Sequence, residues 1–275
     1  MNDRDGVTAE AIAARLVGAH RAGERVGVIT DIDGTISRIA PSPDAAIVDP
    51  ICRAALASLS GRLTLVAALT GRAALDAHRK VGLDALVYVG NHGYECWTAG
   101  TIAYIPGANA ARPALQRVIA AIAPLLLPGM LIEDKGATLS IHYRAAVDST
   151  AVESMFAPLI ARLCRENGLS QFAGRKVFEV RPALQVDKGT GLSALVEDYA
   201  LTACVFLGDD VTDVDAMRVT AHLRADSRCE SYAIGVTAAD GETPASVLAS
   251  ADTLVVGVEG VADWLTDLSQ AISAS

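Results

Sequence analysis

The sequence lacks a basic excess, a cysteine framework and any long apolar run. Lys and Arg number 23 against 32 Asp and Glu, for a net charge of −9. An acidic balance of this size argues against a general binder of nucleic acid or anionic membranes, which are held by counter-charge. It leaves room for a local basic pocket around a small anionic substrate. The five cysteines, Cys52, Cys96, Cys164, Cys204 and Cys229, are scattered and contain no CxxC. No disulfide scaffold or zinc site is expected, and a reducing cytoplasm fits. The longest apolar stretch, Val118 to Ile132, is broken by Pro124, Pro128 and Gly129. It falls short of the roughly 20 apolar residues that a spanning helix needs. The opening MNDRDGVTAEAIAARL is charged and holds no signal-peptide core. Internal repeats, low-complexity segments, GxSxG and HExxH are missing too, and His20, His78, His92, His142 and His222 show no metal-ligand spacing.

What is there reads as a globular protein. Hydrophobic residues make up 51% and charged residues 20% of 275 residues, which excludes disorder and collagen-like structure and allows one large domain or two modest ones. Helix-like segments at Thr8–Ala22, Arg53–Leu59 and Ala73–Val81 alternate with a β-branched run that ends in acid, Arg25–Asp31, and apolar runs at Leu63–Leu69 and Ala85–Val89. The alternation predicts α/β structure, with a parallel sheet covered on both faces. The middle has another texture. Arg112–Leu127 and Val152–Glu166 read as helices, and Leu131–Asp134, Thr138–Arg144 and Lys176–Arg181 as strands around a Lys135-Gly136 turn. A smaller α+β module is therefore expected at 109–182, inserted between core segments 1–108 and 183–275. In the last segment Gly189–Tyr199 and Val261–Ile272 read as helices, and Ala203–Leu207, Ala233–Val236 and Thr253–Val256 as strands.

Three polar clusters follow three apolar strands: Asp31-Ile-Asp33-Gly34-Thr35, Thr70-Gly71-Arg72, and Gly208-Asp209-Asp210 with Asp213 beyond. In an open parallel sheet, ligands gather outside the carboxyl ends of the strands, so these clusters can share one crevice. Asp31 and Asp33, two apart, leave the strand end on one side. Crowded carboxylates need a cation or a proton, and hard oxygen donors suit magnesium; Asp31, Asp33, Asp209 and Asp213 are the candidate ligands. The set can run phosphoryl transfer. Asp31 is the candidate nucleophile, Asp33 the general acid and then base, and Lys188 and Thr70 the groups that steady the transferring oxygens. Gly189-Thr-Gly-Leu-Ser-Ala194 also matches a dinucleotide fingerprint, but no long buried strand precedes it.

DIDGT, TGR, DKG and GDDVTD, in this order, resemble the four motifs of the haloacid-dehalogenase superfamily of phosphohydrolases. That resemblance implies a Rossmann-like core with an inserted α/β cap and a magnesium ion. Gly90-Asn-His-Gly-Tyr-Glu95, Glu133-Asp-Lys135, His142-Tyr-Arg144 and Glu179-Val-Arg-Pro182 are similar to the substrate-level motifs of the trehalose-6-phosphate phosphatases. They imply hydrolysis of trehalose 6-phosphate through an aspartyl-phosphate. Arg72 and Asn91 on the core side, and Glu133, Lys135, Arg144 and Glu179 on the cap, are the implied substrate contacts. The implied partners are a small sugar phosphate and, functionally, a trehalose-phosphate synthase; a monomer is compatible with this. Alternatives are a phosphatase of a sucrose or glucosylglycerate phosphate, a phosphomutase, and a non-catalytic sugar-phosphate sensor. One departure stands out. Val214 occupies the place of a glutamate common in the family, and Met217 that of an aromatic.

Overall fold

A computed structural model describes residues 7–40, 42–174, 176–238 and 243–274. The chain starts α1 (Ala9–Arg21), β1 (Val26–Thr30), α2 (Pro50–Ser60), β2 (Leu65–Leu69), α3 (Ala74–Val81), β3 (Val87–Gly90), β4 (Glu95–Thr98) and β5 (Thr101–Tyr104). It continues α4 (Arg112–Ile122), β6 (Leu131–Asp134), β7 (Leu139–His142), α5 (Ser149–Glu166), β8 (Leu169–Gly174) and β9 (Val177–Pro182). The last part runs α6 (Lys188–Asp198), β10 (Ala203–Gly208), α7 (Val214–Ala225), β11 (Glu230–Thr237), α8 (Ala245–Ser250), β12 (Thr253–Val256) and α9 (Gly257–Ser273). Two compact units result, residues 1–102 with 186–275, and residues 103–185. The sequence-based boundaries at 109 and 182 lie a few residues inside these.

The first unit is built on an eight-stranded sheet in the order β12-β11-β10-β1-β2-β3-β4-β5. β12 through β3 are parallel and β4 turns back against β3. Every residue of β1, β2 and β10 is buried, as strands covered on both faces must be. Side chains alternate between two cores. Val26, Val28, Val205 and Leu207 join Leu16, Leu56 and Leu265 on the α1, α2, α9 side. Ile29 and Phe206 join Leu192, Met217 and Leu223 on the α6, α7 side. Local chemistry starts the helices. The Thr8 hydroxyl caps α1 by accepting from Ala11 N–H at 3.2 Å. Asp49, followed by Pro50, caps α2 through Ile51 and Cys52 N–H at 2.8 and 3.1 Å. Trp264 Nε1 donates to Ala9 C=O at 2.8 Å and ties α9 to α1.

The second unit has an antiparallel sheet, β6-β7-β9-β8. One face buries Leu139, Ile141, Phe178 and Val180 against Leu115, Val118, Phe156 and Ile160 of α4 and α5. Among the described residues no helix is long and apolar enough to cross a membrane. The structure adds elements the sequence pattern did not show: α7, α8, β8, and the β4–β5 hairpin. The hairpin turns on Ala99 and Gly100, both at positive φ, +48° and +84°. That is the mirror-image turn that suits strand twist, here without the usual Asn-Gly signal.

Candidate active site

Parallel pairing sets the site. Thr30 lies beside Leu207 in the β1–β10 register, so Asp31 and Gly208-Asp209 leave the sheet edge side by side. Asp31 N–H donates to Leu207 C=O at 2.8 Å. The chain then turns at Gly34, whose φ is +91°. A Cβ there would stand 2.5 Å from Asp209 Oδ1 and closer still to Oδ2, so only glycine lets the backbone lie against that carboxylate. The Thr35 hydroxyl donates to Asp209 Oδ1 at 3.4 Å. Asp31, Asp209 and Asp213 each present one oxygen within 4.8 Å of the others.

Lys188 is drawn into this cluster as the first residue of α6, behind the Asp187–Thr190 capping box. Its side chain is buried, with Nζ 2.5 Å from Asp213 Oδ1 and 3.0 Å from Asp31 Oδ1. The second contact is an ion pair without hydrogen-bond alignment, which leaves Asp31 Oδ1 with no hydrogen-bond partner. Asp213 Oδ2 accepts from the N–H groups of Asp209 and Asp210, both at 3.0 Å. Asp213 is thus an interior hub with both oxygens engaged. Burial pushes the Asp31 carboxyl up to about 7 despite the opposing charge of Lys188. Burial, with the charges of Asp31 and Asp213, pushes Asp209 up to about 8. Burial alone would lower the Lys188 ammonium, but Asp213 and Asp31 outweigh it and hold it above its ordinary range.

Asp33 is near enough for its charge to act on Asp31, and its carboxylate is held by another side chain. Arg72 Nε donates to its Oδ2 at 2.7 Å and Arg72 Nη2 to its Oδ1 at 2.8 Å. The Arg72 backbone is fixed as well: its N–H donates to Thr70 Oγ1 at 3.3 Å and its C=O accepts from Asn91 N–H at 2.7 Å. The 91–93 loop carries three successive residues at positive φ, Asn91, His92 and Gly93. It packs so closely that a Cβ on Gly71 would stand 2.7 Å from the His92 ring. Just beyond, the buried Glu95 carboxylate accepts from Ala74 N–H at 2.6 Å. Ala73 precedes α3 and has no side chain able to cap it, so Glu95 supplies the missing acceptor from another strand.

In the unit of residues 103–185, Glu133, Ser140 and Glu179 form one row across β6, β7 and β9. His142 Nε2 is 2.7 Å from Glu133 Oε2, and Ser140 Oγ donates to Glu179 Oε1 at 2.7 Å. Lys135 Nζ lies 3.6 Å from Glu179 Oε1 and 4.0 Å from Glu133 Oε2. The result is a polar face opposite the apolar one that packs on α4 and α5. Beside it, the Arg181 guanidinium lies over the Phe172 ring at 4.8 Å.

The sequence model of the trehalose-phosphatase family matches residues 29–247, a span that holds every residue just described. The chain belongs to this family. A trehalose-phosphate phosphatase of Mycobacterium marinum is 35% identical over 200 residues, covering 70% of this chain and 50% of its own length. The chain thus spans about half the length of that curated relative. The solved C-terminal domain of trehalose-6-phosphate phosphatase from C. albicans superposes with a TM-score of 0.73 at 22% identity, covering 94% of this chain and 96% of that one. A haloacid dehalogenase-like hydrolase from Bacteroides thetaiotaomicron superposes with a TM-score of 0.62 at 14% identity, covering 89% and 100%. These two likenesses show the fold, a haloacid-dehalogenase-like α/β core.

Within this trehalose-phosphatase family member the structure gathers Asp31, Asp209, Asp213 and Lys188, as their motifs predict. The Asp33 carboxylate, expected among the metal ligands, bonds Arg72 and is not among the converging oxygens of Asp31, Asp209 and Asp213. Arg72 and Asn91, expected to touch substrate, are buried; Asn91 bonds the Glu95 carboxylate. Thr70 is buried with its hydroxyl on Arg72 N–H. Arg144, expected on a strand beside His142, lies in an exposed turn, because β7 ends at His142 and Ala146 N–H closes on Tyr143 C=O at 3.2 Å. Glu133, Lys135 and Glu179 do lie together. Glu95 and Asp76 escaped the sequence reading as working residues, although the GxHGxE pattern contained the first. Val214 and Met217 are buried in the apolar core, so the missing glutamate leaves no gap there.

The acids fit a divalent cation. Three carboxylates converge, one buried oxygen has no hydrogen-bond donor, and two of the acids are pushed towards neutrality by burial and by neighbouring acids. A hard cation with oxygen ligands relieves all three conditions.

Proposed function

We propose that this chain is a magnesium-dependent phosphatase that hydrolyses trehalose 6-phosphate to trehalose and phosphate in the cytoplasm, acting as a monomer and consuming the product of a trehalose-phosphate synthase. One observation carries the reading: a carboxylate, Asp31, stands at a strand end between a buried ammonium and two further acids. An Asp31 oxygen attacks phosphorus, the phosphorus–sugar oxygen bond breaks, and Asp33 protonates the departing alkoxide. In the second half, water attacks the aspartyl-phosphate, Asp33 takes its proton, and Asp31 leaves as carboxylate with inorganic phosphate. Lys188 holds Asp31 in place and balances charge on the transferring oxygens. Asp31, Asp209 and Asp213 would hold magnesium, which supplies Lewis-acid stabilisation of the phosphoryl group when bound.

The sugar is recognised by Glu133, Lys135 and Glu179, an array of charged acceptors and donors suited to several hydroxyls at once, with Arg144 as a further contact. The test is phosphate release from trehalose 6-phosphate, sucrose phosphate and a glucosylglycerate phosphate, each with Asp31→Asn alongside. Trehalose 6-phosphate should be turned over fastest and the variant should lose all turnover. A variant as fast as the parent would overturn the covalent route, and a faster rival sugar would overturn the substrate.

A further inference from the structure

Arg72 sits in the TGR motif, where a substrate contact is the obvious role, yet its donors are already taken. Two N–H groups fork onto Asp33, Nη1 donates to Asp76 Oδ2 at 2.8 Å, and Nη2 also donates to Pro43 C=O at 3.0 Å. Four of its five N–H groups are thus spent on the protein, and the side chain is 8% exposed. The fork is anchored from behind. Asn91 N–H holds the Arg72 carbonyl, and Glu95 holds Ala74, two residues along. Asp33, by contrast, is 38% exposed at its side chain, open to a reactant on the side away from the guanidinium.

We infer that Arg72 is the positioning residue of Asp33, the clamp that keeps the acid–base carboxylate aimed for proton transfer rather than a binder of phosphate or sugar. The inference rests on the phosphoryl-transfer route proposed above. A carboxylate on a glycine-bearing loop has free rotation about two bonds; a bidentate guanidinium removes it at the cost of one lone pair on each oxygen. The remaining lone pairs accept the proton of the attacking water, as its oxygen bonds phosphorus and the Asp31–phosphorus bond breaks. Lysine cannot replace the fork, since an ammonium meets a carboxylate as a point charge.

An aryl phosphate isolates the effect. Its leaving group departs without a proton, so only hydrolysis of the aspartyl-phosphate still needs Asp33. When that second step alone slows, kcat and KM fall together and kcat/KM holds. With 4-nitrophenyl phosphate and saturating magnesium, Arg72→Ala should lower kcat about tenfold or more, part of the roughly 10²–10⁴ that a positioned acid–base group contributes. KM should fall in step. Asp33→Asn should show the same pattern with a larger loss, and the double variant should be no slower than Asp33→Asn alone. Arg72→Lys should be intermediate. It also decides the sign of the KM change should the alanine variant melt below assay temperature by circular dichroism. A rise in KM, or a double variant that multiplies the two losses, would overturn the clamp while leaving the route intact. An Asp33→Asn enzyme with full kcat would overturn both.

Discussion

Replacing Gly34 with alanine puts a methyl group where Asp209 keeps its carboxylate. The new Cβ would stand 2.5 Å from Oδ1 and nearer to Oδ2, whereas ordinary contact begins at 3.4 Å. The carboxylate must therefore retreat by about 1 Å, several times the roughly 0.2 Å tolerance of a metal–oxygen bond. The cluster oxygens now lie within 4.8 Å of each other, and a shift of that size takes one of three donors out of range. Divalent-cation affinity should fall about 10- to 100-fold, the usual result of disturbing ligand orientation. Alanine at a φ of +91° should cost a further 1–3 kcal/mol or so of stability. Calorimetric titration with magnesium and phosphate release against magnesium concentration read the first effect; a thermal melt in chelator reads the second. A variant that melts earlier yet binds magnesium within about twofold of the parent would refute Asp209 as a ligand.

Lys188→Met leaves Asp31 and Asp213 buried without their counter-ion. Breaking a buried pair in this way should cost about 3–5 kcal/mol, read by denaturant unfolding; a loss under about 1 kcal/mol would show the acids neutral already. Stability of the metal-free protein should fall as pH rises. Asp31 and Asp209 titrate near 7 and 8 when folded against 3.8 ordinarily, so between about pH 4 and 8 the folded state holds protons the unfolded state has shed. Magnesium should erase that slope, and a melting temperature that climbs with pH in chelator would contradict it. Glu133→Ala should raise KM for trehalose 6-phosphate far more than it lowers turnover of 4-nitrophenyl phosphate. Equal losses on both would detach Glu133 from sugar recognition.

The parallel core was legible because strands covered on both faces are near-continuously apolar, as VGVIT, with Thr30 its one polar residue, and ACVFLG are. The acids were legible because each follows such a strand. What stayed hidden depends on partners distant in the chain. Nothing near Arg72 announces that Asp33, 39 residues earlier, takes its fork, or that Glu95 caps a helix begun 21 residues before it. Helix α7 was masked by its own start: the GDDVTD cluster reads as a site, and its five buried positions, Val214, Ala216, Met217, Thr220 and Leu223, include a hydroxyl and are interleaved with Arg and His. Arg144 was misplaced because alternation continues past His142 in the sequence, while the backbone turns away from the sheet there.

The order of strands also dictates when the protein can assemble. β1 lies between β2 and β10, so Val26 pairs with Ala203, a residue that leaves the ribosome long after it. Residues 103–185 find all the partners of their own sheet in one unbroken stretch and can fold as they emerge. The first hundred residues meanwhile hold an open sheet edge and an unneutralised Asp31 until the closing segment arrives. Loss of that segment would expose β1 as a bare template for aggregation, so premature termination should yield insoluble protein rather than a partly active one.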